Sequence, residues 1–291
     1  MTQDLLGYRG KVVAITGAAT GMGQEATELL VELGAEVHAL DIAPVDLPVA
    51  QAIRLDLSDR QSIDEAVARL PARIDRLFSC AGISAAYLGR TFSPVHVNLV
   101  NFVGPRHLIE SLVPRIPADG AIAMIASMTG SAWRDKLDKI DELLATPDFE
   151  SGKAWLEAHV DDPEVLGGDP RHNMNYRFSK EASVAYMKRQ TWPLGEKHIR
   201  INTLSPGLTV TPMMASFDAI SQTGDPDLKM IWPAVGRPST PREQAEALLF
   251  LNSDMARYVS GVDLLSDYGY RVREQLGMPT AIDAIKQRHQ A

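Results

Sequence analysis

The chain has 291 residues, 45% of them apolar and 23% charged, which is ordinary for a globular protein and enough for one large α/β domain. A net charge of −8 argues against nucleic acid or an anionic membrane as a partner, since both call for a basic face. The single cysteine, Cys80, excludes an intrachain disulfide and reads as a buried thiol; with no secretory pattern at Met1–Asp4 and no apolar run of membrane-spanning length, the expectation is a soluble, cytoplasmic protein.

Lys11–Thr16 is a β-branched apolar run of the kind a strand buried on both faces uses. It leads into Gly17-Ala18-Ala19-Thr20-Gly21-Met22-Gly23, and Gln24–Leu33 follows with apolar residues at helical spacing. A strand, a glycine turn and a helix in that order form a dinucleotide site, because glycines let the backbone approach a pyrophosphate held at the helix N-terminus. Glu36–Asp41 reads as the second strand. Its terminal Asp41 would accept hydrogen bonds from the adenosine ribose and repel a 2′-phosphate, which favours NAD over NADP. Pro44 and Pro48 leave little room for a crossover helix before the third strand, Ala52–Leu57.

Ser58–Leu70 has the pattern of a helix capped by Ser58 or Asp59, and Ile74–Ser79 that of a fourth strand running into Cys80-Ala81-Gly82. Val95–Val113 reads as one long helix ending before Pro114, with Asn98 and Asn101 inside it; a buried asparagine there must find partners. Ala121–Ala126 is the fifth strand and sets Ser127 at its C-terminal edge, where ligands bind in an open parallel sheet. Residues 131–172 are too long for a plain loop and carry two amphipathic patterns, Asp135–Leu144 and Phe149–Val160, so a small helical insertion is expected. Tyr176 and Lys180 stand four apart and share one face of the next helix, an arrangement in which an ammonium lowers the pKa of a phenol. Ile199–Leu204, a helix over Pro241–Leu251 and a short strand at Gly261–Leu265 complete an alternation that gives an α/β fold with one doubly wound parallel sheet. The histidines have no metal-ligand spacing, so no metal is expected.

Thr16-Gly17-x-x-x-Gly21-x-Gly23, Asp56-Leu57, Ala81-Gly82, Val97-Asn98-Leu99, Ser127, Tyr176-x-x-x-Lys180 and Pro206-Gly207 with Thr211 together resemble the short-chain dehydrogenase/reductase family over positions 8–270. Three departures stand out: Cys80 replaces a family asparagine, Asp267-Tyr268-Gly269 replaces Asp-Gly-Gly, and Ser127 lies much further from Tyr176 than is usual. The long separation resembles the bacterial 3α-hydroxysteroid dehydrogenase/carbonyl reductase group, which implies a homodimer, with a homotetramer as the alternative. The resemblance implies a single Rossmann-type domain over 1–291, with helical insertion 131–172 and a substrate-loop region 209–235. It also implies catalytic roles for Tyr176 as acid and base, Lys180 beside the nicotinamide ribose, Ser127 on the substrate oxygen and Asn98 in a water-linked proton relay. Cofactor contacts follow for Gly17, Thr20, Gly21, Met22 and Gly23 in the turn. They extend to Asp41, Asp56 and Leu57, to Ala81 and Gly82, and to Pro206, Gly207, Thr209 and Thr211.

Met213, Met214, Phe217, Met230, Ile231 and Trp232 offer apolar surface either for a substrate or for the core, and Trp133 with the insertion forms either the opposite wall, a lid, an oligomer interface or plain packing. The implied activity is NAD-dependent interconversion of a bulky apolar secondary alcohol, steroidal or aromatic, and its ketone. Two alternatives remain open: an NADPH-preferring carbonyl reductase, and a non-catalytic NAD(H)-binding regulator.

Overall fold

The computed structural model describes residues 4–87, 89–167, 174–214 and 235–278. Seven strands form the main sheet: β1 (Val12–Thr16), β2 (Glu36–Asp41), β3 (Gln51–Arg54), β4 (Arg76–Ser79), β7 (Ala121–Ile125), β8 (Arg200–Pro206) and β9 (Asp263–Ser266). They lie in the order β3-β2-β1-β4-β7-β8-β9 and every neighbouring pair is parallel. A short antiparallel hairpin, β5 (Ala86–Tyr87) with β6 (Arg90–Thr91), stands apart after β4.

Both faces of the sheet are covered, and the β-branched runs follow from that. Val13 and Ile15 of β1 pack into one core with Ala26 and Leu30 of α1 (Gly21–Glu32) and Leu248 of the helix Pro241–Asn252. Ala14, between them, points into the other core with Leu77, Ile122, Phe102 and Phe178. Successive strand residues face opposite sides, so a strand covered on both must be apolar throughout. Each fully buried Ile, Leu or Phe contributes about 1.5–3 kcal/mol. Residues 42–50, between β2 and β3, carry no helix, in line with the two prolines there.

The helix α2 (Arg60–Arg69) is capped by Asp59, whose carboxylate accepts from Gln61 N. The expected long helix over Val95–Val113 is interrupted. It runs as α3 (Pro94–Asn98), a π turn at Leu99–Val103 and α4 (Gly104–Leu112), and Pro114 sits in the 3₁₀ turn Val113–Arg115. Gly104 is obligatory for packing, because a Cβ there would stand 2.0 Å from the Leu57 carbonyl oxygen.

After β7 the chain turns into a 3₁₀ segment, Met128–Lys136, then α5 (Leu137–Leu144) and α6 (Phe149–Ala158), so the two amphipathic patterns are helices. Both bury their apolar faces against the sheet's covering layer, through Ile140 and Leu143 and through Phe149 and Leu156. The long helix α7 (Met174–Gly195) carries Tyr176 and Lys180. Among the described residues no helix is long and apolar enough to cross a membrane.

Candidate active site

A crevice of about 900 Å³ opens at the C-terminal ends of β1, β4 and β7. Strand order reverses between β1 and β4, which makes this the switch point where open α/β sheets bind ligands. The glycine turn closes one end, and its glycines are required by sterics. Gly17 and Gly21 have φ of +73° and +60°. A Cβ on Gly17 would approach Ala81 N to 2.7 Å, and one on Gly23 would reach Gly17 O at 2.1 Å. Thr16 Oγ1 accepts from Cys80 N and Ala81 N at 3.1 and 3.3 Å, tying the ends of β1 and β4 together beneath the turn.

Asp41 lines the crevice at the end of β2. One carboxylate oxygen accepts from Ala19 N at 2.9 Å and the other from Ala43 N at 2.9 Å, so the acid also braces the glycine turn. Asp56 and Leu57 line the same end, with Asp56 Oδ1 taking hydrogen bonds from Ser58 N and Oγ. Thr20 and Met22 lie on the turn, and Ala81 and Gly82 form the floor. Pro206, Gly207, Thr209 and Thr211 come in from β8, where the Thr211 methyl would lie 3.5 Å from a Cβ on Gly21. Cys80 is half-buried as a residue and lines the crevice, while its sulfur is buried, as expected, and that burial pushes the thiol pKa up.

The other wall holds Ser127, Tyr176 and Lys180, all buried. Gly130 brings the first two together. A Cβ on it would stand 2.8 Å from Lys180 O, so only glycine lets the segment carrying Ser127 lie directly on α7. Burial pushes the Tyr176 phenol up to about 12, against a hydrogen bond with Ser127 that pulls it down. Burial also lowers Lys180, to about 8. The ammonium donates to Ile125 O at 3.0 Å and lies 5.6 Å from the tyrosine ring centroid. Burial is thus the larger influence on the phenol and the Ser127 hydrogen bond opposes it, with the Lys180 ammonium lying behind the ring.

Ser127 Oγ accepts from Thr129 N at 3.3 Å and from Thr129 Oγ1 at 3.1 Å. A hydroxyl has two lone pairs and one proton. With both lone pairs engaged by Thr129, the Ser127 proton is left to be donated toward Tyr176 or a substrate oxygen. The sequence reading passed over Thr129.

Asn98 does not reach the crevice. Its Nδ2 donates to Pro94 O and to Asn175 O, both at 3.0 Å, which fastens α3 to α7. Asn101, in the π turn, is the asparagine that packs directly behind the crevice lining, against Gly82 and Ile83. Its Oδ1 accepts from Ile83 N at 2.8 Å, and its Nδ2 donates to Ile83 O at 2.9 Å and Ser179 Oγ at 3.0 Å. A Cβ on Gly82 would meet Asn101 Oδ1 at 3.3 Å and Lys180 Nζ at 3.4 Å.

For Trp133 the structure selects packing rather than the crevice wall. Trp133 packs on the core under the Arg134 guanidinium, and the crevice lining contains no residue of 131–167. The facing wall is built instead from the stretch after β4, with Ile83, Arg90, Phe92 and His96, together with Met128. Met213 and Met214 line the crevice as expected, while Phe217, Met230, Ile231 and Trp232 fall outside the described residues.

Residues 11–136 match the family model described as short chain dehydrogenase, and residues 166–271 match the one described as enoyl-(acyl carrier protein) reductase. Coniferyl-alcohol dehydrogenase of Pseudomonas sp. strain HR199 is 28% identical over 89% of this chain and 96% of its own. The 3-alpha-hydroxysteroid dehydrogenase/carbonyl reductase of Comamonas testosteroni is 28% identical over 89% of this chain and 95% of its own. The crystal structure of 3-alpha-hydroxysteroid dehydrogenase from Pseudomonas sp. B-0831, complexed with NADH, superposes with a TM-score of 0.73 at 24% identity, covering 92% of this chain and 100% of that one. The matched segments carry both the glycine turn and the Tyr176–Lys180 helix on a seven-stranded parallel sheet, and the chain is an oxidoreductase belonging to the short-chain dehydrogenase/reductase family.

Proposed function

We propose that the protein is an NAD-dependent dehydrogenase that interconverts a bulky apolar secondary alcohol, steroidal or aromatic, and its ketone. One observation carries the reading: a buried phenol, a hydroxyl and an ammonium converge on one wall of a crevice whose far end is a glycine turn braced by an acid.

The residues fit a dinucleotide. Side chains are excluded at Gly17 and Gly23 by contacts under 3 Å, so bare backbone faces the crevice, and the first turn of α1 holds no acid to oppose a pyrophosphate. Each Asp41 oxygen has one backbone partner and keeps a further lone pair for ribose hydroxyls, and its charge disfavours a 2′-phosphate. Asp56 and Leu57 would flank the adenine. Pro206, Gly207, Thr209 and Thr211 would hold the nicotinamide end, with Ala81 and Gly82 beneath. When bound, the nicotinamide accepts or returns the hydride.

The chain's own groups manage the proton and the charge on oxygen. In ketone reduction Tyr176 donates its proton to the developing alkoxide, and in oxidation it takes the hydroxyl proton as phenolate. Ser127 donates to the same oxygen, and Thr129 fixes the direction of that donation. Lys180 supplies positive charge behind the phenol and hydrogen bonds for the nicotinamide ribose. Asn101 replaces Asn98 in the proposed machinery, as the residue that holds the Ile83 backbone against Gly82 and Lys180.

The proposal is tested by screening secondary alcohols with NAD⁺ and with NADP⁺ and following the reduced nicotinamide by absorbance. Turnover with a higher kcat/KM for NAD⁺ is the expected result. Tight dinucleotide binding with no turnover of any alcohol or ketone would mark a binding protein instead.

A further inference from the structure

The wall that faces Ser127 and Tyr176 is built by a stretch that the proposed chemistry leaves unused. Arg90 in β6 sets its guanidinium 5.5 Å from the Phe92 ring centroid, and Phe92 stacks on the His96 imidazole at 5.0 Å with planes 8° apart. All three line the crevice. Cation, ring and imidazole form a ladder, a surface that receives planar rings and negative charge.

The charges along the crevice are segregated. Asp41 and Asp56 line it beside the glycine turn, whereas Arg90 and His96 come from the stretch after β4, and among the described residues that stretch contributes no carboxylate to the lining. Among the described residues the Arg90 guanidinium makes no ion pair and no hydrogen bond, and it lies over the Phe92 ring. Structural arginines of this chain look different: Arg115 and Arg200 are spent on backbone carbonyls, Arg76 on carbonyls and Asp254, and Arg106 on carbonyls and Glu110. An exposed guanidinium held over a crevice by an aromatic ring is set up to take a carboxylate from outside, through a bidentate fork.

We propose that the Arg90–Phe92–His96 ladder is a substrate subsite, and that it selects aromatic alcohols or ketones bearing an acidic group remote from the reacting carbon. The ring lies along Phe92 and His96, and the carboxylate pairs with Arg90. This rests on the proposed dehydrogenase reading and narrows its substrate to an aromatic one whose apolar ring carries a single acidic group away from the reacting carbon.

The experiment compares a secondary benzylic alcohol carrying a para-carboxylate with its methyl ester, which keeps the ring and the reacting carbon and removes the charge. The wild type is expected to favour the acid through a lower KM at similar kcat. Arg90→Gln is expected to reduce the acid-to-ester ratio of kcat/KM by roughly tenfold or more, the size of a lost charge-assisted hydrogen bond, and Arg90→Lys to restore part of it. Thermal melting and NADH titration of each variant check that fold and cofactor site are intact. Turnover of both compounds with no preference for the acid, or an unchanged ratio in Arg90→Gln, overturns the subsite while leaving the dehydrogenase reading standing. Failure of either compound, and of every other secondary alcohol, to reduce NAD⁺ or NADP⁺ overturns both.

Discussion

The two halves of the crevice are made in different ways. The half proposed for the dinucleotide is built from consecutive residues at strand ends: Gly17 to Gly23 after β1, Asp41 ending β2, and Ala81 and Gly82 after β4. The half that faces the substrate is assembled from pieces far apart in the chain, the hairpin region at Arg90–His96, Met128 and Thr129 after β7, and Met213 and Met214 after β8. A constraint carried by local backbone leaves a readable motif. A surface shared among distant loops leaves none, because each loop need only supply bulk and a polar group at one point in space.

Four experiments break or sharpen this contrast. Tyr176→Phe should have the largest effect, lowering kcat/KM by roughly 10²–10⁴-fold because the proton has no donor or acceptor, while the NADH dissociation constant stays as in the wild type. Steady-state rates alongside fluorescence titration check it, and near-normal turnover would remove Tyr176 from the scheme.

Asn101→Leu comes next. It strands Ile83 N and O, and an unmet buried hydrogen bond costs about 1–3 kcal/mol, so both stability in urea and kcat should fall. Asn98→Leu serves as the control, since it loosens only the α3–α7 contact; it should lower stability with kcat nearly unchanged. Equal loss of kcat in the two variants would return Asn98 to the site.

Asp41→Ser acts on the dinucleotide half alone. Removing the charge should shift the NAD⁺-to-NADP⁺ ratio of kcat/KM toward NADP⁺ by about tenfold, one charge-assisted hydrogen bond, with kcat little altered. An unchanged ratio would show that Asp41 only braces the turn at Ala19.

The smallest expected effect is a displaced pH profile. Tyr176 acts as a base only when ionised, and burial raises its pKa, so alcohol oxidation should gain rate as pH rises while ketone reduction loses it. Thr129→Val removes one of the two bonds that orient the Ser127 proton, so the phenolate loses support and the oxidation profile should move to higher pH. Thr129→Ser should move it back. A profile identical in all three proteins would reduce Thr129 to a strand-end contact.

The asparagines show where reading a sequence stops. Asn98 and Asn101 are three apart, so on a regular helix they share a face and nothing in the spacing chooses between them. The π turn at Leu99–Val103 closes its hydrogen bonds one residue further along, which rotates Asn101 relative to Asn98 and turns it toward Ile83. Trp133 is undecided by sequence for a related reason. A large apolar side chain announces that it will be covered but not by what, and here Trp133 goes onto the core rather than the crevice. Thr129 and Phe92 were overlooked because a threonine and a phenylalanine carry no motif until their neighbours in space are known.

The sequence by itself determined the seven parallel strands, the absence of a helix between β2 and β3, and the glycine turn after β1. In each case the cause is local: periodicity, proline geometry, or a backbone too close to its neighbour for a side chain. Tertiary structure alone decided which asparagine meets the site and which wall faces the phenol. It also decided how deeply Tyr176 is buried, which raises its pKa, because a pKa depends on everything packed around a group and not only on its neighbours along the chain.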